Sequence, residues 1–128
     1  MATAPLPDPV WDEYMRFRHM FADVLDPDYY PLEWLDGQIW SGKMRLFTTA
    51  ESAIIVSIKT YPSGLQELVG EVAAGELRDI VSALIPQSIE WAKSLGCRVA
   101  EISSRPAWSR IMRNDGWDTY QVTLKKWL

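Results

Sequence analysis

Residues 67–95 read ELVGEVAAGELRDIVSALIPQSIEWAKSL and predict a strand, a small turn and a long helix in succession. The strand is predicted at 68–72, and the turn consists of Ala73, Ala74 and Gly75. After the turn, apolar residues recur three or four positions apart, which is the spacing of one helix face: Leu77, Ile80, Val81, Leu84, Ile85, Ile89, Ala92 and Leu95. A tight turn from a strand into a helix presents backbone N–H groups and the positive end of the helix dipole. This junction is therefore a candidate anion-binding site.

The length and composition of the chain predict one globular domain. The 128 residues are 48% hydrophobic, which suits a single substantial core. No apolar run approaches the roughly 20 residues that span a bilayer, and the first residues lack the basic start and apolar stretch of a secretory signal. We therefore expect a cytoplasmic protein without membrane contact, with a disordered lead-in at 1–7 and one domain over 8–128.

The scarcity of histidine and cysteine limits the chemistry. His19 is the only histidine and Cys97 the only cysteine, so an intrachain disulfide, a zinc cluster and a histidine-based catalytic triad are excluded. No metal site is expected, and acid–base chemistry must use carboxylates, Tyr, Lys or water. His19 lies off the apolar stripe of the first predicted helix and should be on the surface. The net charge of −4 argues against broad nucleic-acid binding.

The other elements follow from local patterns. A helix is predicted from the Asp8-Pro9 start to about Leu25, and a short second helix at 31–35. Pro62 and Gly64 predict a turn, and hence an antiparallel hairpin between the strands that flank it. A helix should begin at Pro106. Strands are predicted at 39–40, 43–48, 53–60, 65–73, 97–104 and, from the alternation of Tyr120, Val122 and Leu124, at 117–128.

Together these elements predict an α/β (α+β) fold with a mixed, mostly antiparallel sheet of about six or seven strands. Ile54, Ile55 and Val56 are consecutive apolar residues, so both faces of their strand should be buried and helices should flank the sheet on both sides. Pro86 should kink or divide the long helix, because proline lacks the backbone donor.

Residues 91–97 read WAKSLGC, and Gly116-Trp117 follows the next predicted strand and helix. With the element order, these segments resemble the GNAT (Gcn5-related N-acetyltransferase) superfamily, whose corresponding segments carry an "lGc" turn and a "GF" before the last strand. The resemblance implies an acyl-CoA N-acyltransferase-like domain with acetyl-CoA beside the strand at 68–72. It also implies a set of cofactor-binding residues, in which Arg105 contacts a phosphate and Trp108 stacks on the adenine. The full set is Val72, Ala73, Ala74, Gly75, Glu76, Leu77, Arg105 and Trp108.

The resemblance is incomplete at two positions. Family members have a longer, arginine- or glutamine-containing loop with two glycines, where this chain has only Ala-Ala-Gly-Glu at 73–76. A carboxylate such as Glu76 about 4 Å from a phosphate is unfavourable by about 1 to 4 kcal/mol. Met112 stands where the family commonly has its general-acid tyrosine, and it cannot transfer a proton. Glu71 is the first candidate for the catalytic base and Glu67 the second, although alternation allows each to be an exposed edge-strand charge.

Three function hypotheses follow. The first is an acetyl-CoA-dependent N-acetyltransferase acting on a small-molecule or peptide amine. The second is a binding or assembly module that keeps the fold with weak or no CoA binding; small divergent relatives also occur in phage and prophage gene sets. The third is a peptide- or nucleotide-binding domain that uses Arg105, Trp108 and Arg110. Seven tryptophans and the apolar pair Trp127-Leu128 suggest an interface such as a homodimer, although packing within a monomer explains them equally well.

Overall fold

Helices flank a four-stranded sheet in the computed structural model, which describes residues 8–128. The predicted lead-in at 1–7 lies outside the described residues. The elements in chain order are α1 (Asp8–Val24), α2 (Leu32–Trp40), β1 (Arg45–Thr48), β2 (Ala53–Thr60), β3 (Gln66–Ala74), α3 (Leu77–Asp79), a π-helical segment (Ile80–Leu84), α4 (Ile85–Ser94), β4 (Val99–Ile102), α5 (Pro106–Met112) and a 3₁₀ turn (Arg113–Asp115).

The sheet has the order β1-β2-β3-β4. The β1–β2 and β2–β3 pairs are antiparallel, and the β3–β4 pair is parallel. The predicted hairpin is confirmed, and its turn is closed by a 2.8 Å hydrogen bond from the Gly64 N–H to the Tyr61 carbonyl. The mixed, mostly antiparallel sheet is therefore as predicted.

Both faces of the sheet are covered, as the apolar run in β2 predicts. Ile55 belongs to a core formed with α1 and α2, whose large buried side chains are Tyr14, Phe17, Phe21, Leu35 and Ile39. Ile54 and Val56 belong to a second core on the opposite face, formed with Ile80, Leu84, Ile85, Ala92 and Met112. The long helix packs on this second face through the stripe read from the sequence, except that Leu95 is 49% exposed rather than buried.

The long helix is interrupted near its proline. The π-helical segment Ile80–Leu84 ends two residues before Pro86. Proline has no N–H to donate and its ring crowds the carbonyl four residues earlier, so a wider turn at this point accommodates it. The helix is divided near the position that the sequence predicts.

Two predicted strands are wrong, so the described residues contain four strands rather than six or seven. Ile39 and Trp40 lie in α2, where Leu35 and Ile39 are four residues apart and share one buried helix face. Residues 117–128 alternate as a strand would but form none, and Tyr120, Val122 and Leu124 are exposed. A strand requires a partner edge, and within residues 8–128 this segment has none.

A polar cluster joins α1 to α2. Asp36 accepts hydrogen bonds from the Tyr14 hydroxyl at 2.5 Å and from the Arg18 Nε and Nη2 atoms at 2.8 and 2.7 Å. The Arg18 hydrogen bonds hold the pKa of Asp36 below its usual range, although partial burial opposes this effect. Burial and the hydrogen bond to Asp36 raise the pKa of Tyr14, so its hydroxyl stays protonated. This cluster fixes the two helices that cover one face of the sheet.

Candidate active site

The parallel strands β3 and β4 pair over only part of their length. The pairing runs from Glu67 opposite Val99 to Gly70 opposite Ile102, whereas β3 continues to Ala74. Among residues 8–128, no strand pairs with the outer edge of β3 beyond Gly70. About half of a strand's backbone groups face each neighbour, so this edge leaves hydrogen-bonding groups available to a ligand. The sheet therefore opens beside the second half of β3.

Glu71 lies at the point where the sheet opens. Val56 pairs with Gly70 and Ile55 pairs with Val72, so Glu71 is an extra residue in β3 and forms a β-bulge. Its side chain is exposed, and its Oε2 atom accepts a 2.5 Å hydrogen bond from the Ser57 hydroxyl. The bulge thus directs the first candidate base towards solvent at the mouth of the opening.

Glu67 has a different environment at the start of β3. It is only 8% exposed, and its Oε1 atom accepts a 2.7 Å hydrogen bond from the Tyr61 hydroxyl. That hydrogen bond, with lesser effects of burial and of the Glu67 and Glu101 charges, raises the pKa of Tyr61 to about 12. Tyr61 therefore keeps its proton at neutral pH and donates it in a hydrogen bond to Glu67.

Three carboxylates share this face of the sheet. Glu101 on β4 lies opposite Val69, which alternation places on the same face as Glu67. Glu71 belongs there too, since it reaches Ser57, the β2 partner of Val69. The three ion pairs formed within residues 8–128 involve other carboxylates. Lys59, the β2 partner of Glu67, shares this face with its Nζ atom 4.8 Å from the centre of the Tyr61 ring, so three carboxylates here face one ammonium group.

The loop after β3 is fastened to the turn between β1 and β2. Gly75 has a φ of +115°, and a Cβ atom built there would lie 2.5 Å from the Ser52 Oγ atom and 2.7 Å from the Glu51 carbonyl oxygen. The Glu76 N–H donates a 2.9 Å hydrogen bond to the Ser52 Oγ atom. The Thr49 hydroxyl also donates to Asp79 in α3. Glycine is thus required at position 75 because the backbone of Glu51 and Ser52 packs directly against it.

The other predicted cofactor-binding residues differ widely in exposure. Val72 packs half-buried against the first core, Ala73 packs against the second, and Ala74 is buried. Leu77 begins α3 and is half-buried, while Glu76 precedes the helix with an exposed side chain that caps no backbone group. Side chains of this loop therefore contribute mainly to packing, and any ligand contact must rely on its backbone.

Exposed arginine side chains follow both strands of the opening. Arg78 is exposed in α3, three residues after Gly75, and Arg105 is exposed immediately before α5. Trp108 is half-buried against the second core. Met112 is 4% exposed in that core, so the position of the family's tyrosine holds a buried apolar side chain.

A groove of about 450 Å³ runs between the long helix and the end of α5. Its lining includes the apolar residues Val81, Ile85, Ile89, Met112 and Trp117 together with the carboxylates Glu90 and Asp115. It lies on the opposite face of the sheet from Glu67 and Glu71, because its lining belongs to the second core. The sheet thus separates this groove from the face that carries Glu67 and Glu71.

Solved structures share this architecture. The chain superposes on an acetyltransferase from Trypanosoma brucei with a TM-score of 0.65 and 12% identity, covering 98% of this chain and 97% of that one. For glucosamine-6-phosphate N-acetyltransferase from Arabidopsis thaliana, the TM-score is 0.65 and the identity 11%, with 97% and 95% covered. The chain has the GNAT fold. An aminoglycoside N-acetyltransferase solved in complex with CoA also matches, with a TM-score of 0.65 and 14% identity over 91% of this chain and 90% of that one.

Sequence comparisons detect no relationship. No protein-family model matches the chain, and no curated protein sequence matches it. The fold is therefore established by architecture alone.

Several residues of this region were not singled out from the sequence. Tyr61 and Glu101 join Glu67 only through strand pairing, and Ser52 reaches the loop after β3 from 24 positions away. Arg78 was detectable, because it directly follows the Gly-Glu-Leu segment at 75–77. His19 is exposed, which confirms its predicted surface position. No helix in residues 8–128 has the length and apolar character needed to cross a membrane.

Proposed function

We propose that the protein is an N-acetyltransferase that uses acetyl-CoA and acts on an amine. The observation that carries this proposal is the bulge at Glu71, which places a carboxylate where β3 and β4 separate in a GNAT fold. Proton transfer by a positioned carboxylate contributes about 10²- to 10⁴-fold to the rate of such reactions.

The residues around the opening fit acetyl-CoA in part. The outer edge of β3 over 71–74 offers backbone groups for the amides of the pantetheine arm, and residues 72–77 with Arg105 form the proposed cofactor site. Arg78 and Arg105 supply positive charge for the phosphates. The Glu76 N–H already donates to Ser52, so the loop has fewer free donors for a diphosphate. We therefore expect weak binding.

The protein's own residues would act on the acceptor. Bound acetyl-CoA supplies an activated acetyl group. Glu71, directly or through water, takes a proton from the ammonium group of the acceptor, and the Ser57 hydroxyl orients that carboxylate. The neutral amine would then form a C–N bond to the acetyl carbon as the C–S bond breaks, and the second proton lost by nitrogen would pass to solvent. Solvent supplies the proton for the leaving thiolate, because Met112 cannot.

The charge of the acceptor face supports an amine substrate. Glu67, Glu71 and Glu101 form no ion pair within the described residues, and they lie on one face. The three carboxylates outnumber the Lys59 ammonium group on the same face, so their net potential would attract a cationic amine and raise its local concentration. Glu67 would act through its hydrogen bond to Tyr61, as a binding group or as a second base.

A second candidate is a binding or assembly module that keeps the GNAT fold without catalysis. Buried Met112 and the occupied Glu76 N–H favour this alternative, because both remove groups that would serve the thiolate and the diphosphate. The two candidates differ in whether acetyl-CoA binds and whether an acetyl group is transferred.

The deciding experiment measures both properties. Calorimetry with acetyl-CoA gives the dissociation constant, and mass spectrometry follows acetylation of a panel of monoamines, polyamines and lysine peptides. We expect Glu71→Gln to lower kcat by about 10²- to 10⁴-fold with little change in acetyl-CoA affinity. Asp12→Asn, at an exposed position on α1, is the matched carboxyl-to-amide control and should retain activity. Absence of both binding heat and acetyl transfer at millimolar acetyl-CoA would refute the acetyltransferase proposal and favour the binding or assembly module.

A second test concerns the charge at the loop. Glu76→Gln should tighten acetyl-CoA binding about fivefold, because a carboxylate about 4 Å from a phosphate costs about 1 kcal/mol in water. Glu33→Gln, an exposed position on α2, removes the same charge elsewhere and should leave the affinity unchanged. Equal affinities for wild type and Glu76→Gln would show that the diphosphate does not rest on this loop.

A further inference from the structure

The outer edge of β1 carries backbone groups that have no partner within residues 8–128. β1 is an outermost strand of the sheet and pairs only with β2. The Thr49 N–H donates a 2.8 Å hydrogen bond to the Ser52 carbonyl, where the hairpin of these two strands closes. Hydrogen-bonded and non-hydrogen-bonded pairs alternate along an antiparallel ladder, so the odd-numbered residues of β1 bond to β2. The N–H and carbonyl groups of Leu46 and Thr48 therefore point to the outer edge, and no hydrogen bond within residues 8–128 engages them.

A guanidinium group without a carboxylate partner lies at the start of this edge. The Arg45 Cζ atom lies 5.2 Å from the centre of the Phe47 ring and 5.0 Å from that of the Trp91 ring, and the two rings meet edge to face. Arg45 is exposed and belongs to none of the three ion pairs formed within residues 8–128. Contact with two rings restricts the guanidinium group while its N–H groups stay available to a carboxylate.

Helices border the edge on both faces of the sheet. Trp91 belongs to α4 on one face, and on the other face the Thr48 hydroxyl donates a 2.8 Å hydrogen bond to the Glu13 Oε2 atom of α1. Leu46, Phe47 and Thr48 are accordingly half-buried. Only an extended segment presents N–H and carbonyl groups at the intervals that this backbone edge requires.

We propose that the outer edge of β1 binds an extended acidic segment of a partner protein, which adds a strand antiparallel to β1 and places a carboxylate on Arg45. The C-terminal end of the bound segment then lies beside Arg45, because the two strands run in opposite directions. β1 itself contains no carboxylate, so a second copy paired edge to edge would leave both guanidinium groups unmatched. An acidic partner segment satisfies both the backbone edge and the charge.

NMR titration of isotope-labelled protein with synthetic peptides tests the proposal. The probes are peptides of about six residues in which Thr alternates with Val, Ile or Tyr, each ending in Glu with a free carboxyl group. We expect a dissociation constant below about 1 mM for at least one of them, with shifts and slower hydrogen exchange at the Leu46 and Thr48 amides. No shift with any peptide at about 1 mM would overturn the proposal. So would shifts confined to β4, the other outermost strand.

Removing either charge tests the contact between Arg45 and the carboxylate. Arg45→Gln should weaken binding about tenfold, because charge-assisted hydrogen bonds are lost. Arg113→Gln, at an exposed position in the 3₁₀ turn, is the matched control and should bind like wild type. A peptide with Gln and a terminal amide in place of its carboxylates should bind wild type about tenfold more weakly and Arg45→Gln no more weakly still. Equal affinities of Arg45→Gln and wild type for the acidic peptide would overturn this contact.

N-methylated peptides test the strand pairing without any change to the protein. Methylation of the peptide amides that face β1 should abolish binding, whereas methylation of the alternate amides, which face away, should leave it unchanged. Equal effects of the two methylation patterns would reject strand addition.

Two measurements distinguish a partner protein from other occupants of the edge. Rapid hydrogen exchange at the Leu46 and Thr48 amides in the free protein is expected, and slow exchange would show that the edge is already covered. A variant that lacks residues 1–7 should bind the peptides like wild type. Binding gained only after their removal would show that the chain itself occupies the edge and would overturn the proposal. None of these outcomes depends on acetyl-CoA binding or catalysis.

Discussion

Gly75→Ala tests the fastening of the loop after β3 to the rest of the domain. The backbone at this position has a φ of +115°, which residues other than glycine rarely adopt. The new Cβ atom would also lie 2.7 Å from the Glu51 carbonyl oxygen and 2.7 Å from the Ser52 Cα atom. Both neighbours belong to the backbone, so they cannot move aside as the end of a flexible side chain can.

The two effects add to a large loss of stability. Holding a non-glycine residue in such a backbone conformation costs about 1 to 3 kcal/mol. Forcing extra atoms into an occupied space costs about 1 to 3 kcal/mol more. We therefore expect the free energy of unfolding to fall by about 2 to 6 kcal/mol, a large share of the 5 to 15 kcal/mol typical of a domain.

Urea denaturation measures the loss, and two other glycines separate its causes. Gly64 has a φ of +90° with nothing within 4 Å, so Gly64→Ala carries the backbone cost alone, about 1 to 3 kcal/mol. Gly37 lies in α2 with open space around it, so Gly37→Ala should stabilise by about 0.5 to 1 kcal/mol. An equal loss for Gly75→Ala and Gly64→Ala would refute the close approach of Gly75 to the Ser52 turn.

Three further changes test the core, the α1–α2 cluster and the surface. Leu84 is fully buried, so Leu84→Ala should lower the free energy of unfolding by about 2 to 5 kcal/mol in urea denaturation; a loss below about 1 kcal/mol would contradict its placement. Asp36 has a lowered pKa in the folded state, so its stabilising effect is complete above the unfolded value of about 3.9 and is lost as the pH falls below it. On going from pH 5 to pH 2, the free energy of unfolding of Asp36→Asn should therefore fall less than that of wild type. Equal falls in urea denaturation would show that protonation of Asp36 does not destabilise the fold. His19→Ala should leave both the melting temperature and any acetyl transfer unchanged, since the side chain is exposed.

Local patterns along the chain were sufficient for most of the fold. The stripe on α1, the turn containing Gly64 and the apolar face of the long helix each specify an element from neighbouring residues, because helical and strand periodicities are local properties. The consecutive apolar residues Ile54, Ile55 and Val56 also predicted that helices cover both faces of the sheet. These inferences required no knowledge of which elements meet.

The segment 117–128 and the candidate site depended on which elements meet. Alternation at 117–128 predicts a strand correctly only where a partner edge is available, and only the tertiary structure shows that residues 8–128 provide none for it. The bulge at Glu71 is a mismatch in length between two paired strands, and neither strand alone records it. The hydrogen bond between Tyr61 and Glu67, and that between Ser52 and the Glu76 N–H, likewise arise from pairing between separate segments. Residue types and their local spacing are properties of the sequence. Burial, strand register and the proximity of charges are determined only when separate segments of the chain pack together.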